Sequence, residues 1–577
     1  MILLTVRLSG QSFMKEKLRS SLRWIARLLP IVFAGLSAMT VFAQSEKVDE
    51  NFVRWNKPDS PGCALGVIKD GKVIYQRGYG AANLEHKIPN ASDTVFYIAS
   101  TSKQFTALSI ALLVTQGKLA LSDDIHKFLP ELPAYESKVT IDHLVHHSSG
   151  IPDFFALIPL AGQRLEDTMT DEDILSLLAR QKSLNFKPGD QFQYSNSGYF
   201  LLGQIVSRVT GKSLREFAEE AFFKPLGMRN THFHDDRTMI VPKRATGYVP
   251  KAGGFAIFAT LFDRVGDGGV MTTIEDLMKW DQNFYDTKVS GKAMIDLALT
   301  PYKLNNGENS EYGFGLFLKE YRGLSQIAHG GIYNGFRADL IRFPEQKFSV
   351  ACLCNLYNID AGKLAQDVAD LYLANQYTKP ANAEASPNFI ALSPEELIHR
   401  VGTFVDPSSG TTINVTMNEG KLIAAIPGGG ILNQQLAPLS VNNFKATNSL
   451  KSKFSFADAP KPNEPALYVR LLPGVGQPIF SFVRSALVTP DTKKLNEYAG
   501  RYYSTALDVA YEFSVKEEKL VLKFRNAAPK NLLPTVKDSF SAGGMNYVFT
   551  HDARQNINGF VLNDVIGRIR KISFIRQ

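Results

Sequence analysis

The alternation of apolar and polar residues changes character about two thirds of the way along the chain. Residues 50–86 contain alternating apolar segments around a turn signal at 69–71, which predicts a β-hairpin. Helix and loop signals follow to about residue 300, and a second hairpin-like region covers about 312–355. The segment 361–376 has helical periodicity, and the stretch after it, TKPANAEASPN, is rich in Pro, Ala and Asn. This stretch predicts a linker.

Beyond the linker, the sequence predicts two copies of one all-β unit. Short alternating strands and turns follow one another there. VGTF at 401–404 returns as AGRY at 499–502, and EGKL at 419–422 returns as EEKL at 517–520, both at an offset of 98 residues. Such self-similarity indicates a duplication. Copies of about 90 residues with this texture suit two small barrels or sandwiches.

Composition indicates a multidomain globular protein. The 577 residues are 44% hydrophobic and 21% charged. These values exclude wholesale disorder, a collagen-like repeat and a polytopic membrane protein. The net charge of +8 suggests an acidic partner, but residues 1–43 carry six cations and one acid, which leaves +3 on the rest of the chain. We therefore expect no nucleic acid partner.

Residues 14–43 have the three parts of a secretory signal peptide. Five cations precede an apolar run that starts at Leu28, and small residues follow at the positions that a signal peptidase reads. We expect cleavage of residues 1–43 and a periplasmic or secreted protein with no integral membrane span after processing. The alternative is an uncleaved anchor, although the run is short for a span of about 20 residues and contains a proline. The sequence leaves open whether translation starts at Met1 or Met14.

Three cysteines are too few for a disulfide framework. Cys352 and Cys354 alternate in FSVACLCNL, an apolar stretch that predicts a buried strand on which both side chains share one face. We interpret both residues as small core hydrophobes. A chain of this length is expected to fold without disulfide cross-links.

The first candidate for chemistry is FYIASTSKQFTALSIALLVTQG, residues 96–117. Ser100 precedes an apolar-periodic run, so it lies near the start of a helix, and Lys103 lies one turn later on the same face. A helix N-terminus offers positive partial charge and free N–H groups to a nucleophile. The lysine can help deprotonate the hydroxyl, as a neutral amine when burial lowers its pKa. The tetrapeptide by itself is weak evidence, because residues 12–15 match it too.

Two further polar segments supply candidate groups. Tyr194 and Asn196 lie on a polar loop before an apolar helix. A neighbouring cation that lowers the pKa of Tyr194 from about 10 would let its phenol relay a proton. Asn196 can hold a substrate amide or orient Lys103. His329 precedes two glycines that let a substrate backbone approach a strand closely. Taken singly, each segment also fits ordinary loop polar groups.

In this order, the segments resemble the signature elements of the penicillin-recognising serine hydrolases, the class C β-lactamase and DD-peptidase superfamily. These elements are STSK at 100–103, YSN at 194–196 and HGG at 329–331. DHLVHHSSGIPDF, KPLGMRNTHF and GDGGVMTTIEDLMKW also look like that family. The resemblance covers about 50–375. With the β units added, the architecture looks like that of the D-stereospecific aminopeptidases.

The resemblance implies a multidomain protein with an α+β serine β-lactamase/penicillin-binding fold, in which helices flank an antiparallel sheet. Two small antiparallel β-barrel (lipocalin-like) domains would follow it. The predicted domains are a signal peptide over 1–43, a catalytic domain over 44–378, a linker over 379–391, and barrels over 392–488 and 489–577.

The resemblance also implies an acyl-enzyme mechanism without a metal or organic cofactor. Ser100 would attack a carbonyl, activated by Lys103 and Tyr194, and Tyr194 would protonate the leaving group. The implied substrate-binding and oxyanion groups are Asn196, His329, Gly330, Gly331 and Ile332. Among them, the backbone N–H of Ile332 would share the oxyanion with that of Ser100. Many relatives carry Lys-Thr-Gly as the third element. A histidine in place of the lysine binds a carboxylate less strongly, because it is only fractionally charged near neutral pH. This difference favours the aminopeptidase and esterase branches.

We therefore expect an exported serine hydrolase that cleaves amide or ester bonds in peptides containing D-amino acids. The expected partners are small peptide, ester or β-lactam-like substrates, and we allow for a homo-oligomer. One alternative is an esterase or weak β-lactamase that uses the same serine. Another is a non-catalytic receptor for peptidoglycan fragments.

Three other patterns favour a structural interpretation. THFHDDR at 231–237 has the His-x-His-x-Asp spacing of a metal site, but Arg237 at the next ligand position would repel a metal. The three histidines within 142–147 are at helical spacing and are interpreted as capping and packing groups. GDGG at 266–269 lacks the Lys-Ser/Thr that follows a phosphate-binding loop.

Overall fold

The computed structural model describes residues 44–577 except 166, 260–262, 290, 381–388, 430–432, 448–451, 459, 462, 471–478 and 526. The predicted signal peptide and most of the predicted linker lie outside the described residues. Among the helices that are described, none has both the length and the apolar character that crossing a bilayer requires.

The N-terminal part is built on an antiparallel sheet. The strands of this N-terminal part are β1 Cys63–Lys69, β2 Lys72–Tyr79, β3 Ala81–Asn83, β4 Ile88–Pro89, β5 Phe96–Tyr97, β6 His232–Phe233, β7 Tyr248–Lys251, β8 Gly254–Ile257, β9 Val270–Thr272, β10 Phe317–Tyr321, β11 Leu324–Tyr333, β12 Phe336–Phe343 and β13 Phe348–Cys354. In the described chain, six of them form the central sheet in the order β10-β11-β12-β13-β1-β2. The predicted hairpin is confirmed as β1–β2, and β1 also pairs with the distant β13.

Helices cover both faces of this sheet. They are α1 over 44–50, α2 Lys103–Thr115, α3 Ile141–Val145, α4 Phe154–Leu160, α5 Asp171–Ala179, α6 Asn196–Thr210, α7 Leu214–Ala218, α8 Lys224–Leu226, α9 Ile274–Asp286, α10 Gly291–Ala298 and α11 Ala361–Leu373. The helix α2 is buried along most of its length, because residues 104–113 carry small or apolar side chains on nearly every face. It therefore holds its N-terminal end rigidly inside the domain.

The prediction that no disulfide is needed is wrong. Cys63 on β1 and Cys354 on β13 form a disulfide across a sequence separation of 291 residues. The two residues lie opposite each other in the β1–β13 register. Their pairing depends on a long-range strand alignment that no local pattern reveals. Cys352 is a buried free thiol whose Sγ lies 3.7 Å from that of Cys354, so the core role predicted for it matches its position.

The two predicted β units form two closed antiparallel barrels. The first is preceded by α12 Pro394–Ile398 and contains β14 Gly402–Val405, β15 Thr412–Asn418, β16 Lys421–Ala425, β17 Asn433–Pro438, β18 Asn443–Ala446, β19 Lys453–Phe456, β20 Pro465–Arg470 and β21 Phe480–Ser485. The second is preceded by α13 Thr492–Tyr498 and contains β22 Gly500–Ser504, β23 Val509–Lys516, β24 Lys519–Lys523, β25 Lys530–Pro534, β26 Ser539–Ala542, β27 Met545–His551, β28 Ile557–Asp564 and β29 Ile572–Arg576. Closure pairs the first strand of each unit with its last, which leaves no free sheet edge in the barrel.

The second barrel packs against the N-terminal domain. Its core residues belong to the same continuous apolar cluster as α2 and α6, whereas the first barrel has an apolar cluster of its own. The Tyr511 hydroxyl donates to the Leu160 carbonyl at 3.0 Å, and the Gln181 amide donates to the Ala506 carbonyl at 2.8 Å. This packing brings the loop between β28 and β29 to the N-terminal domain.

Candidate active site

Ser100 lies in a 3-10 turn, Ala99–Ser102, that leads directly into α2. Two hydrogen bonds tie this turn to neighbouring strands. The Thr101 hydroxyl donates to the His329 carbonyl on β11 at 3.1 Å, and the Ser102 hydroxyl accepts from the Val270 N–H at 3.0 Å. Ala99 has a φ of +47°, a left-handed conformation that is uncommon for a residue with a side chain and often marks a functional turn. The turn thus presents Ser100 at a fixed place beside β11.

Lys103 is completely buried and points at Ser100. Its Nζ donates to the Ser100 Oγ at 3.1 Å, to the Asn196 Oδ1 at 2.9 Å and to the Asp267 carbonyl at 2.5 Å. Burial lowers the pKa of Lys103 to about 8, although the carboxylates of Asp267 and Asp153 act in the opposite direction. A substantial fraction of the amine is therefore neutral near pH 8 and able to accept a proton.

Tyr194 lies against Lys103, whose Nζ is 4.9 Å from the centre of the phenol ring. Burial raises the pKa of Tyr194 well above 10, and the nearby Ser100 side chain offsets this rise in part. Within the described residues, the Tyr194 hydroxyl is buried without a hydrogen bond of normal geometry. The lowered pKa that the sequence analysis made a condition for a proton relay is therefore not found, because burial and the nearby Asp267 and Asp153 carboxylates raise the pKa of this phenol. Tyr194 is suited to donate a proton.

Asn196 is the first residue of α6 and orients Lys103. Its Oδ1 accepts from Lys103, and its Nδ2 donates to the Asp153 Oδ2 at 3.2 Å. Asp153 is buried, and burial raises its pKa while Arg568 of the second barrel opposes the rise. The sequence predicts that Asn196 either holds a substrate amide or orients Lys103, and these hydrogen bonds match the second use.

His329 is buried and neutral. Burial, together with the charge of Lys103, lowers its pKa to about 3. Its Nδ1 lies 2.7 Å from the Gly330 carbonyl, which can act only as an acceptor, so the ring proton is on Nδ1. The Nε2 then accepts from the Tyr312 hydroxyl at 3.1 Å. His329 therefore lacks the partial positive charge that the sequence predicts for it near neutral pH. The His-Gly-Gly element at 329–331 thus provides no cation in the described structure.

The strand β11 approaches the serine turn closely. A Cβ on Gly331 would lie 2.0 Å from the Ile98 carbonyl oxygen, so glycine is required there. Gly330 faces the other side, where a Cβ would meet the Asp339 carboxylate at 3.0 Å. Ile332 follows with an exposed side chain and lines the same cavity as Ser100. The structure thus brings all eight predicted site residues into one region.

A cavity of about 780 Å³ opens beside Ser100. The N-terminal domain contributes Tyr194 and Asn196 to its wall, and the second barrel contributes Lys530, Asp564 and Arg568. The Arg568 carbonyl accepts from the Asn185 amide at 2.8 Å, which anchors the barrel loop at this wall. This loop had no signal in the sequence that connected it to the site.

Sequence reasoning missed several groups that support the site. Tyr312 holds His329, Asp153 holds Asn196, and His147 lies behind Tyr194 with its ring centre 4.3 Å away. The segment that contains Asp153 and His147 was recognised by its resemblance, but not as part of the site. The carbonyl of Asp267 had no signal of its own, because a backbone acceptor can belong to any residue type.

The other histidine patterns are held by local hydrogen bonds. His232 Nε2 and His234 Nδ1 lie 3.2 Å apart and bond to each other, while Asp236 accepts from Thr238. In the part of the chain that the structure describes, the one cluster with metal-ligand spacing consists of the three cysteines, two of which form the disulfide. His143 forms a capping box with Thr140 at the start of α3.

Comparison with known proteins supports the same region as the functional one. A protein-family model described as beta-lactamase matches residues 48–373, more than half of the chain. Penicillin-binding protein 4* of Bacillus subtilis is 32% identical over 306 residues, which are 50% of this chain and 67% of that protein. A D-aminopeptidase of Gluconobacter oxydans is 27% identical over 390 residues, 67% of this chain and 70% of that protein.

Two solved structures resemble the fold beyond the N-terminal domain. The octameric penicillin-binding protein homologue from Pyrococcus abyssi has a TM-score of 0.53 at 23% identity and covers 84% of this chain and 98% of its own. SurE has a TM-score of 0.54 at 20% identity and covers 78% of this chain and 98% of its own. At these identities the likeness concerns the fold.

Proposed function

The chain belongs to the beta-lactamase family of serine hydrolases, and from that premise we propose that it is an exported enzyme that forms an acyl-enzyme on Ser100. Its substrates would be amides or esters, chiefly peptides that contain D-amino acids. The observation that carries the proposal is the buried Lys103 amine, which contacts the Ser100 hydroxyl and has a pKa lowered to about 8. A serine is a weak nucleophile until such a base takes its proton.

In the first half of the reaction, neutral Lys103 accepts the Ser100 proton as Oγ bonds to the substrate carbonyl carbon. The carbonyl oxygen becomes an oxyanion, for which the N–H groups of Ser100 and Ile332 are the proposed donors. The Tyr194 phenol, which burial keeps protonated, gives its proton to the leaving nitrogen or oxygen and regains one from the Lys103 ammonium. In the second half, water attacks the acyl carbonyl carbon and loses a proton to neutral Lys103, and the bond to Ser100 Oγ breaks as Tyr194 gives Oγ a proton, which Tyr194 regains from the Lys103 ammonium.

Because His329 is neutral, it favours a substrate that has no carboxylate group next to this residue. A group with a pKa near 3 carries no charge at neutral pH, so it offers a hydrogen-bonding surface and not a cation. An enzyme that requires a free C-terminal carboxylate gains most from a permanent cation there. Among the curated relatives, the D-aminopeptidases and penicillin-binding protein 4* fit peptide or amide substrates, and we extend that class to this chain.

Export is part of the proposal. The signal-peptide pattern of residues 14–43 supports it, and so does the Cys63–Cys354 disulfide, because disulfides persist mainly in oxidising compartments. N-terminal sequencing of the protein recovered from the periplasm or medium would test it. A mature chain that begins near residue 44 is expected, whereas retention of residues 1–43 in the cytosol would refute export.

The catalytic proposal is tested with the purified mature protein and its Ser100→Ala variant. Both are incubated with D-aminoacyl anilides, short-chain esters and a fluorescent penicillin, and the protein is examined by mass spectrometry for an acyl adduct on Ser100. We expect turnover of the D-aminoacyl anilides that Ser100→Ala abolishes. Turnover of esters or the penicillin without the anilides would favour the esterase or weak β-lactamase alternative. The absence of Ser100-dependent turnover and adduct throughout would favour the receptor.

A further inference from the structure

His147 has an unusual backbone conformation next to the proposed site. It follows α3 and has a φ of +54°, which places a residue with a ring side chain in the left-handed region. Such conformations are uncommon for residues other than glycine and persist where the surrounding structure fixes them. The side chain is almost completely buried, with 1% of the residue exposed.

His147 holds the chain on both sides of Tyr194. Its backbone carbonyl accepts from the Gln193 N–H at 2.8 Å, and its Nδ1 accepts from the Ser195 N–H at 3.1 Å. The left-handed backbone allows the carbonyl and the ring of one residue to reach the same short segment. Tyr194 lies between these two hydrogen bonds, and its ring packs on the imidazole with 4.3 Å between ring centres.

The hydrogen bond from Ser195 also fixes the state of the imidazole. An Nδ1 that accepts a hydrogen bond carries no proton, so the proton of the neutral ring is on Nε2. Among the described residues the Nε2 has no hydrogen-bond partner, and burial and the charge of Lys103 keep the pKa of His147 well below its usual value. The neighbouring histidines differ: His143 caps α3, and His146 bonds to Asp142.

We infer that His147 is a positioning residue that fixes the Tyr194 phenol against Ser100 and Lys103. The inference rests on the proposed function, because it assigns Tyr194 a role in proton transfer. His147 acts from behind: Tyr194 and Ser100 line the substrate cavity, whereas His147 is absent from the described lining. Its effect on the reaction is therefore expected to pass through Tyr194.

Three variants separate this role from simple packing. His147→Asn keeps a hydrogen-bond acceptor for the Ser195 N–H, and asparagine tolerates a positive φ. His147→Gly accepts the same backbone conformation but removes the acceptor and the ring. His143→Ala is the control, because it removes a neighbouring histidine whose ring caps α3 and packs on Tyr302.

We expect kcat to fall about a hundredfold in His147→Gly with KM changed less than about threefold, since small misplacements of catalytic groups have costs of this order. His147→Asn should recover kcat to within about tenfold of the wild type. His143→Ala should lower the melting temperature and leave kcat within about twofold. Equal losses in the Asn and Gly variants would overturn the inference.

A double-mutant cycle with Tyr194→Phe tests the route of the effect. If His147 acts through Tyr194, His147→Gly should change kcat by less than about threefold in the Tyr194→Phe background. A full hundredfold loss in that background, or a Tyr194→Phe variant with wild-type kcat, would overturn the inference. A crystal structure of His147→Gly gives a readout that is independent of turnover: Tyr194 must be displaced, and an unmoved Tyr194 ring would contradict the positioning role even if the proposed function fails.

Discussion

At the scale of single residues, the site depends on desolvation. Lys103 and His329 are buried, and the half-buried Tyr194 has a buried hydroxyl; desolvation shifts the pKa of each group in the direction that favours its neutral form. A surface lysine would remain protonated and could not act as a base near neutral pH. The same three side chains in water would therefore have different chemistry, which explains why the sequence motif alone is weak evidence.

The first prediction concerns the pH dependence of catalysis. In the proposed mechanism the neutral Lys103 amine is the base, and its pKa is about 8, so kcat/KM should rise with pH along a limb of apparent pKa near 8. The limb should be absent in Lys103→Arg, whose guanidinium stays protonated, and kcat/KM should fall about 10²–10⁴-fold. Lys127→Arg, an exposed lysine on the surface, is the control. A limb near pH 6.5 would instead indicate a histidine base.

Linkage predicts the sign of the effect of Lys103 on stability. Its pKa is about 8 in the folded protein and near 10.5 in the unfolded chain, so the unfolded chain binds more protons between these values. The contribution of Lys103 to stability is therefore unfavourable below about pH 8 and becomes less so as the pH rises toward 10.5. The protein thus retains a destabilising group at the position where the proposed chemistry needs it.

At the scale of elements, the adjacent glycines Gly330 and Gly331 on β11 have different structural roles. A Cβ on Gly331 would collide with the Ile98 backbone, whereas a Cβ on Gly330 meets the end of the Asp339 side chain, which can move. We expect Gly331→Ala to separate β11 from the serine turn, to lower stability by about 1–3 kcal/mol and to reduce kcat strongly. Gly330→Ala is the matched control with milder effects. Thermal unfolding and kcat of both variants test this, and equal effects would contradict it.

The disulfide joins β1 and β13, which are neighbours in the central sheet although they are its first and last strands along the chain. It closes a loop of 291 residues in the unfolded chain. We expect the Cys63→Ala/Cys354→Ala double variant to lose about 2–4 kcal/mol of stability, because the unfolded state gains freedom. Calorimetry of the unfolding transition tests this against Cys352→Ala, which removes a buried thiol without breaking the cross-link. A smaller loss in the double variant than in the control would show that the cross-link contributes little.

At the scale of the whole molecule, local periodicity predicted the elements and missed the contacts between distant ones. The β1–β2 hairpin, the helix after Ser100 and the two barrels all follow from patterns within short windows. The Cys63–Cys354 disulfide joins residues 291 positions apart, and the hydrogen bond between Asn185 and the barrel loop at Arg568 joins residues 383 positions apart. No short window contains both partners of such a contact, so the sequence offers no local signal for it.

The loop of the second barrel supplies a charge to the site of the N-terminal domain. The side chain of Arg568 lies near Asp153 and lowers the pKa that burial raises, while Asp153 holds Asn196 and thereby Lys103. Arg568→Ala should therefore raise the pKa of Asp153. The loop itself should stay in place, because the Arg568 backbone carbonyl, and not its side chain, bonds to Asn185.

The last prediction follows from that charge. In the wild type, a plot of log(kcat/KM) against pH should have a slope of one below the pKa of Lys103. The slope should become steeper at the lower pH where Asp153 is protonated, because a neutral Asp153 accepts a weaker hydrogen bond from Asn196. In Arg568→Ala the steeper region should begin at a higher pH, and the melting temperature near neutral pH should fall, because the buried Asp153 and Asp564 carboxylates lose a cation. Arg554→Ala, on an exposed turn of the same barrel, is the control. Superimposable pH profiles for Arg568→Ala and the wild type would show that the barrel covers the site without tuning its chemistry.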